Sequence, residues 1–525
     1  MHEIITLQLG QQSNYLATHF WNTQESYFTY SENDEPIIDH DVHFRPGLSP
    51  DGKTETFMPR TVIYDLKGAF GSMKKINALY EVEGEEPDPT QLDLQPQASG
   101  VWPGKTVLQK ADPITQSPYT EALNAGLKPQ RPTISTVKYF SDFSRLYYHP
   151  RSVVQLNEFE VASTIQPFEQ FSTGEELFRE LDKEHDLLDR DLRFFAEEAD
   201  FMQGLQVFMG VDDAWGGFGA RYLERIRDEY GGKTAIWTWG LESPLRSLPR
   251  DKRLLRLANK SRSFTELYTH SSILVPLSLP SRLPSSLSNF DSLSPWHTTA
   301  LFSSAVESAL LPTRLRGHKK ETLNTIIETL DLTGKQKVAG LQFSVNSSPI
   351  EDLSSGLQLD LNMSSSASDQ IDAYPLRSRS KRTPRVFSQL VTSRGYHSPE
   401  ETQGVEELDE KGRRIRKSAY EPITKTYSTS LAFPILDSFP EIFAVEKEED
   451  DNDDKIDTKE EQTVVRITTS LSTDSGVCAR LRKLKDTVIK SIGLEDREAL
   501  GNDLAEMADE YHEGWSSGSD SGEDD

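Results

Sequence analysis

The chain has 525 residues, with 57 basic against 84 acidic side chains and a formal charge of −27. At roughly 100–200 residues per domain this allows two to four domains. A hydrophobic content of 35% is low for one compact body, so part of the chain is expected to stay unpacked.

The charge is uneven. Glu81–Asp93, Glu446–Glu461 and Asp503–Asp525 together carry −22 and leave −5 for the other 473 residues, a near-balanced globule with acidic segments attached. This excludes binding to nucleic acid by overall phosphate neutralisation and general adhesion to anionic lipid. A single cysteine, Cys478, excludes an internal disulfide framework and a Cys-rich zinc site. No apolar run reaches about 18 residues, so no transmembrane segment is expected. Met1-His2-Glu3-Ile4-Ile5 is neither a secretory signal nor an Arg-rich transit peptide. The expected location is the cytoplasm, or the cytosolic face of an organelle.

In chain order, Ile4–Leu9 alternates as a strand, Gly10 breaks it, and Gln11–Phe28 reads as a helix. Thr61–Asp65 is a second buried strand after Pro59. Glu81–Arg131 is acidic, then rich in Pro and Gln, and reads as an insertion. In Gly174–Met202 the residues Leu177, Leu181, Leu188, Leu192, Phe195 and Ala199 recur at helical spacing, with His185 expected as a partly buried helix residue. Leu205–Val211 reads as a strand, then a helix through Tyr230, a strand at Thr234–Trp239, a helix at Arg253–Tyr268 and a strand at Ser272–Leu279. Trp296–Leu311 and Lys319–Leu330 follow as helices and Lys337–Val345 as a strand. This β/α alternation predicts a mostly parallel sheet flanked by helices.

Ser347–Tyr420 is Ser- and Arg-rich and is expected to be disordered, with basic runs at Arg377–Arg385 and Lys411–Lys417. Thr426–Leu436 and Val464–Leu471 read as strands and Val477–Ile492 as a basic helix, before an acidic tail over 501–525 expected to be disordered. The expected division is 1–270 (with 81–131 inserted), 271–345 opening a smaller second α/β domain, 346–420 as insertion, and 421–500 completing that domain around an acidic loop at 446–461.

A strand ending at Gly10 before a helix N-terminus suits an anion, because glycine lets backbone approach and the helix end is positive. The pattern is generic until its context is added. The run from Gly10-Gln11 through Asn14 to Phe20-Trp21 resembles the opening of the tubulin family, whose strand ends in Gly-Gln-Cys-Gly-Asn-Gln. Met58-Pro59-Arg60-Thr61-Val62-Ile63-Tyr64-Asp65-Leu66 resembles the next tubulin strand. Ile226-Arg227-Asp228-Glu229-Tyr230 resembles the end of the helix behind tubulin's glycine-rich loop. Tyr139-Phe140-Ser141-Asp142-Phe143, Tyr147-Tyr148-His149-Pro150-Arg151-Ser152 and Trp296-His297-Thr298-Thr299-Ala300-Leu301 are similar to the Misato family of tubulin-like proteins. That resemblance covers roughly Met1–Val345. It implies a tubulin/FtsZ-like α/β fold and, from the fungal members, a role in mitochondrial partitioning and inheritance of mitochondrial DNA.

The resemblance also implies two phosphate loops. In the first, Gly10, Gln11 and Asn14 match, while Gln12, Ser13 and Tyr15 replace Cys, Gly and Gln. A β-carbon at Ser13 restricts geometry that glycine leaves free, which weakens the loop. The second, Gly-Gly-Gly-Thr-Gly-Ser-Gly in tubulin, falls on Val211-Asp212-Asp213-Ala214-Trp215-Gly216-Gly217. Asp212 and Asp213 set carboxylates against phosphate, at roughly 3–4 kcal/mol per like-charge pair for ~4–6 Å and an effective dielectric near 20. A metal bridging both acids to phosphate is the rescuing alternative. The structural alternative, and the favoured one, is that these acids cap the following helix. Tubulin's hydrolytic loop, Gly-x-x-Asn-x-Asp-x-x-Glu, corresponds to Gly317-His318-Lys319-Lys320-Glu321-Thr322, where Lys320 and Thr322 replace Asn and Asp.

No catalytic residue, metal or cofactor is therefore expected. Gly10, Gln11, Asn14, Asp212, Asp213, Gly216 and Gly217 are expected as vestiges of a GTP site. Asp39-His40-Asp41-Val42-His43 is a solvated polar stretch rather than a metal site, since no third cluster supports it. The basic runs read first as solvated loops, second as docking segments for an acidic partner or anionic lipid, and third as a nuclear signal. The reading is a non-catalytic tubulin homologue with protein partners: tubulin, chaperonin or mitochondrial surface proteins. Its rivals are a GTPase and an accessory factor in tubulin folding or spindle assembly.

Overall fold

The computed structural model describes residues 2–29, 36–48, 55–73, 114–244, 248–317 (with short gaps in 281–288), 320–346, 357–363, 384–396, 422–443, 464–491 and 494–512. The acidic windows 81–93 and 446–461, the run Lys411–Lys417, nearly all of Arg377–Arg385, and the end of the tail from 513 lie outside the described residues.

The chain opens with β1 (Glu3–Leu9), α1 (Gln11–Glu25), β2 (Phe44–Leu48), β3 (Glu55–Pro59) and β4 (Thr61–Lys67). It continues through α2 (Pro118–Asn124), β5 (Val153–Glu160), α3 (Phe171–His185), a π turn at Leu188–Leu192, α4 (Arg193–Glu198) and β6 (Met202–Gly210). Next come α5 (Ala214–Tyr230), β7 (Ala235–Leu241), α6 (Arg250–His270), β8 (Ile273–Leu277), α7 (Pro295–Ala309) and α8 (Leu323–Leu330). The last third holds β9 (Gly340–Asn346), β10 (Leu357–Asp360), β11 (Val386–Arg394), β12 (Ile423–Thr429), β13 (Phe433–Pro434), β14 (Val464–Asp474), α9 (Gly476–Ser491) and α10 (Leu494–Asp509).

The first sheet runs β5-β4-β1-β6-β7-β8, and every pairing in it is parallel. The chain moves outward from β1 through β4 to β5, then returns to β1's other side at β6. The order therefore reverses beside β1, and crevices at such reversals are where open α/β sheets bind ligands. β1, β7 and β8 are buried along their whole length and covered on both faces, even at Glu3, Thr6 and Gln8 of β1 and Thr238 of β7. The second sheet, β10-β9-β14-β11-β12, is mixed: β11 and β12 are parallel and the other pairs antiparallel.

Two apolar cores flank the first sheet. One gathers α1, α7 and the inner face of the second sheet; the other gathers α3, α5, α6, α9 and α10. α7 is buried from Trp296 to Ala309, as expected of a helix that has sheet or helix on every side.

Several expectations change. The helix read over Gly174–Met202 is broken: α3 ends at Asp186, which takes a left-handed conformation, and the π turn follows. The break turns Asp191 inward, where Tyr64 donates its hydroxyl proton to it, so a polar contact interrupts the leucine stripe. His185 sits at that helix end with an exposed side chain beside Glu184. The helix read from Lys319 starts at Leu323, where Thr322 accepts the Thr325 N–H at 3.1 Å. Within 346–420, expected to be disordered, β10 and β11 are both strands, and β11 is an interior strand of the second sheet, between β14 and β12. Its Val386–Arg394 pattern alternates in burial, a signal masked by the composition around it. Within 81–131, α2 forms behind a Ser117 cap with proline at its first turn. β8 belongs to the first sheet, so that sheet continues past residue 270. α10 runs into the stretch read as tail, and Leu504, Met507, Ala508 and Tyr511 are buried there.

Candidate functional site

A cleft of about 340 Å³ opens at the carboxyl ends of β1, β4 and β6, where the strand order reverses. Gly10, Gln11, Gln12 and Ser13 from the β1–α1 turn line it, with Asp65, Gly210, Asp213, Trp215, Ser243 and Arg256. The sequence-predicted loops are thus brought together on one crevice.

Gly10 has φ +89°, a left-handed conformation that glycine adopts without strain. A β-carbon there would lie 2.5 Å from both Cδ1 and Nε1 of Trp215. The indole therefore lies directly on the turn where a phosphate loop would present its backbone. Asn14 donates from Nδ2 to Asp65 Oδ2 at 2.7 Å and to the Tyr64 carbonyl at 3.3 Å, tying α1 to β4. Asp65 also accepts the Leu66 N–H at 2.8 Å. Burial pushes its carboxyl up to about 7, against the lowering effect of those two donors.

The two aspartates part company. Asp213 caps α5, accepting the Trp215 N–H at 2.9 Å. Asp212 turns the other way, accepting the Ser243 N–H at 3.0 Å and its hydroxyl at 3.2 Å, with Arg256 3.5 Å away. Burial and the nearby Asp212 raise the Asp213 carboxyl above its ordinary range. Only Asp213 thus plays the cap role expected of the pair.

Gly216 and Gly217 serve packing. A β-carbon on Gly216 would come within 2.0 Å of Ser263 Oγ on α6, and one on Gly217 within 2.0 Å of the Phe171 carbonyl on α3. Gly174 returns the contact, its added β-carbon falling 1.7 Å from the Ala214 carbonyl. These glycines let α5 sit against α3 and α6 at backbone distance. Gln11 lines the cleft, and Gln12 Oε1 accepts from Ser243 Oγ at 3.4 Å.

Sequence reasoning passed over Asp65, Ser243 and Arg256. Asp65 carried a signal, an acid at the end of a buried parallel strand. Arg256 carried none, being one of several cations in α6. Below the cleft Glu242 and Lys260 form an ion pair at 2.8 Å with both side chains 6% exposed.

The other expected positions lie elsewhere. Gly317 has φ +89°, Lys320 pairs with Asp39, and Glu321 accepts from Tyr427, so the described part of that loop is tied to neighbouring segments. His318 and Lys319 lie outside the described residues. The stretch at Asp39–His43 is a short 3-10 turn and is not wholly solvated: His40 stacks on Phe28 and His43 is buried against Phe20 and Trp21. Among the described residues no group of three His, Cys, Asp or Glu is placed to hold a metal, and no helix is long and apolar enough to cross a membrane.

A family model for the Misato segment II tubulin-like domain matches residues 2–125, and one for the tubulin domain matches residues 129–315. Protein dml-1 of Neurospora crassa is 53% identical across the whole of both chains, and protein DML1 of Gibberella zeae is 44% identical across the whole of both. Protein misato homolog 1 of Bos taurus is 30% identical over 67% of this chain and 66% of its own. Full-length identity at this level, on a fold whose crevice sits where the tubulin-like motifs converge, places the chain in the DML1/Misato family of tubulin-like proteins.

Proposed function

We propose that this protein is a non-catalytic tubulin-like scaffold that acts in the distribution of mitochondria and the inheritance of mitochondrial DNA. What supports the non-catalytic part is the Trp215 indole seated on Gly10. Asp65 and Asp213 line the same cleft, where a nucleoside triphosphate would add like charge. The residues present do not suit a guanine nucleotide, and no step of hydrolysis is assigned to them. The mitochondrial part rests on the family resemblance.

Calorimetric titration of the full chain with GTP and Mg²⁺ tests the first part. No saturable heat is expected, and GTP turnover abolished by Gly10→Ala would overturn it. Imaging a tagged copy beside a depletion strain tests the second. Tagged protein on mitochondria and daughter cells lacking mitochondrial DNA are expected; normal inheritance after depletion would overturn it.

A further inference from the structure

The cleft holds an imbalance of charge. Asp65 and Asp213 line it with one guanidinium, Arg256, which is already engaged by the buried Asp212 behind the lining. Two carboxyl groups remain. Against them stand the N-termini of α1 and α5, each worth about half a positive charge. The excess is therefore negative by about one charge when all three acids are ionised. Burial holds both Asp65 and Asp213 above the ordinary carboxylate range, and the nearby Asp212 adds to the shift at Asp213.

A second observation is independent of the acids. Ser13 lines the cleft and is fully buried, and its Oγ has no hydrogen-bond partner among the described residues. Asp213 Oδ1 takes the Trp215 N–H, and Oδ2 has no partner among them. Buried polar groups are nearly always paired, so a donor-rich ligand head suits this corner. The walls beyond it are apolar: Leu66, Val161, Phe168 and Leu293, the last 59% exposed at the rim. The volume falls in the range of small-ligand pockets.

We infer that this cleft binds an organic cation, a guanidinium or ammonium on an apolar stem, with Asp213 and Ser13 taking the head and the apolar walls taking the stem. A metal ion is the poorer fit, since among the described residues no three ligating side chains converge. The inference rests on the reading that the cleft does not hold nucleotide.

The test titrates the full-length protein with butylguanidinium and with its neutral isostere butylurea, by calorimetry at pH 6 and pH 8. Saturable binding of butylguanidinium, at least about tenfold tighter than butylurea and tighter at pH 8, is expected. Asp213→Asn keeps a good helix cap while removing the charge, and should weaken binding about tenfold, near 1.4 kcal/mol. Leu293→Arg places a cation at an exposed rim position and should weaken it without moving Tm. A capped Gly-Arg-Gly peptide binding more tightly than spermidine assigns the cation to a protein side chain, and the reverse assigns it to a free polyamine. Equal binding of the two isosteres, no saturation by either, or full binding by Asp213→Asn overturns the inference. GTP with Mg²⁺ in a parallel titration separates the cases, because nucleotide binding would sink the earlier reading and leave the cation result to stand or fall alone.

Discussion

Glu307 on α7 and Arg394 on β11 form an ion pair in which neither side chain is exposed to solvent. Arg314 Nη2 donates to the same carboxylate at 2.9 Å, and Tyr27 donates to it from α1's end at 3.2 Å. One glutamate thus joins the helix between the sheets to both the second sheet and the first helix. Removing one member strands the others. Glu307→Ala is expected to cost about 3–5 kcal/mol, read as a lower urea midpoint. Replacing Glu307, Arg314 and Arg394 together with apolar residues should recover most of that loss. If Glu307→Ala unfolds at the wild-type midpoint, the cluster does not hold the sheets together.

Gly10 and Trp215 give a second prediction. Gly10→Ala should destabilise, through the positive φ and through the clash with the indole. In a Trp215→Ala background the clash disappears and only the backbone term, about 1–2 kcal/mol, should remain. A double-mutant cycle in urea therefore should show coupling of at least about 1 kcal/mol. Additive effects would mean the indole does not need the glycine.

Asp65 sets a pH dependence. Its folded carboxyl titrates near 7 against an ordinary 3.8, so the folded state holds the proton more tightly than the unfolded state. The stability linked to that proton is fully present below about pH 4 and is lost as pH rises towards 7, on the order of 4 kcal/mol. Asp65→Asn should flatten this part of the profile and raise stability at pH 8 relative to wild type. Unfolding midpoints at pH 5 and pH 8 check it, and equal slopes for both proteins would count against a buried neutral acid.

Tyr511, just after α10, ties that helix to the segment before β9. Its hydroxyl oxygen accepts the Val338 N–H at 2.6 Å and the ring is fully buried. Tyr511→Phe leaves a buried backbone donor unpaired, and about 1–3 kcal/mol should be lost on denaturant unfolding. Faster amide exchange at Val338 should accompany it.

Five strands of the first sheet were legible because they are short, largely apolar stretches set between amphipathic helices; the edge strand β5 was not read, since its half-exposed residues are mostly polar. β11 was not, since its Val386–Arg394 alternation lies within a Ser- and Arg-rich stretch whose average suggests no core. The break after α3 was also hidden. Leucine spacing continues through it, while at the turn Asp186 is left-handed, Asp182 and Asp186 accept the Leu187 and Asp189 N–H groups, and Tyr64 holds Asp191. At the cleft, aspartates in a glycine loop were readable as a chemical change. Their division of labour was not, because Ser243 and Arg256 come from the next strand end and the next helix.

The strand order has a consequence for how the chain is made. β1 pairs with β4 on one side, but its other edge waits for β6, with Glu3 opposite Met202. That partner is synthesised about 200 residues later, which at roughly 5–20 residues per second is about 10–40 s of translation. For that interval the N-terminal strand has one edge of unpaired backbone donors and acceptors while the chain is still attached to the ribosome. A strand in the middle of the first sheet thus completes its pairing only after a long stretch of later chain has been made, so this sheet cannot assemble hairpin by hairpin.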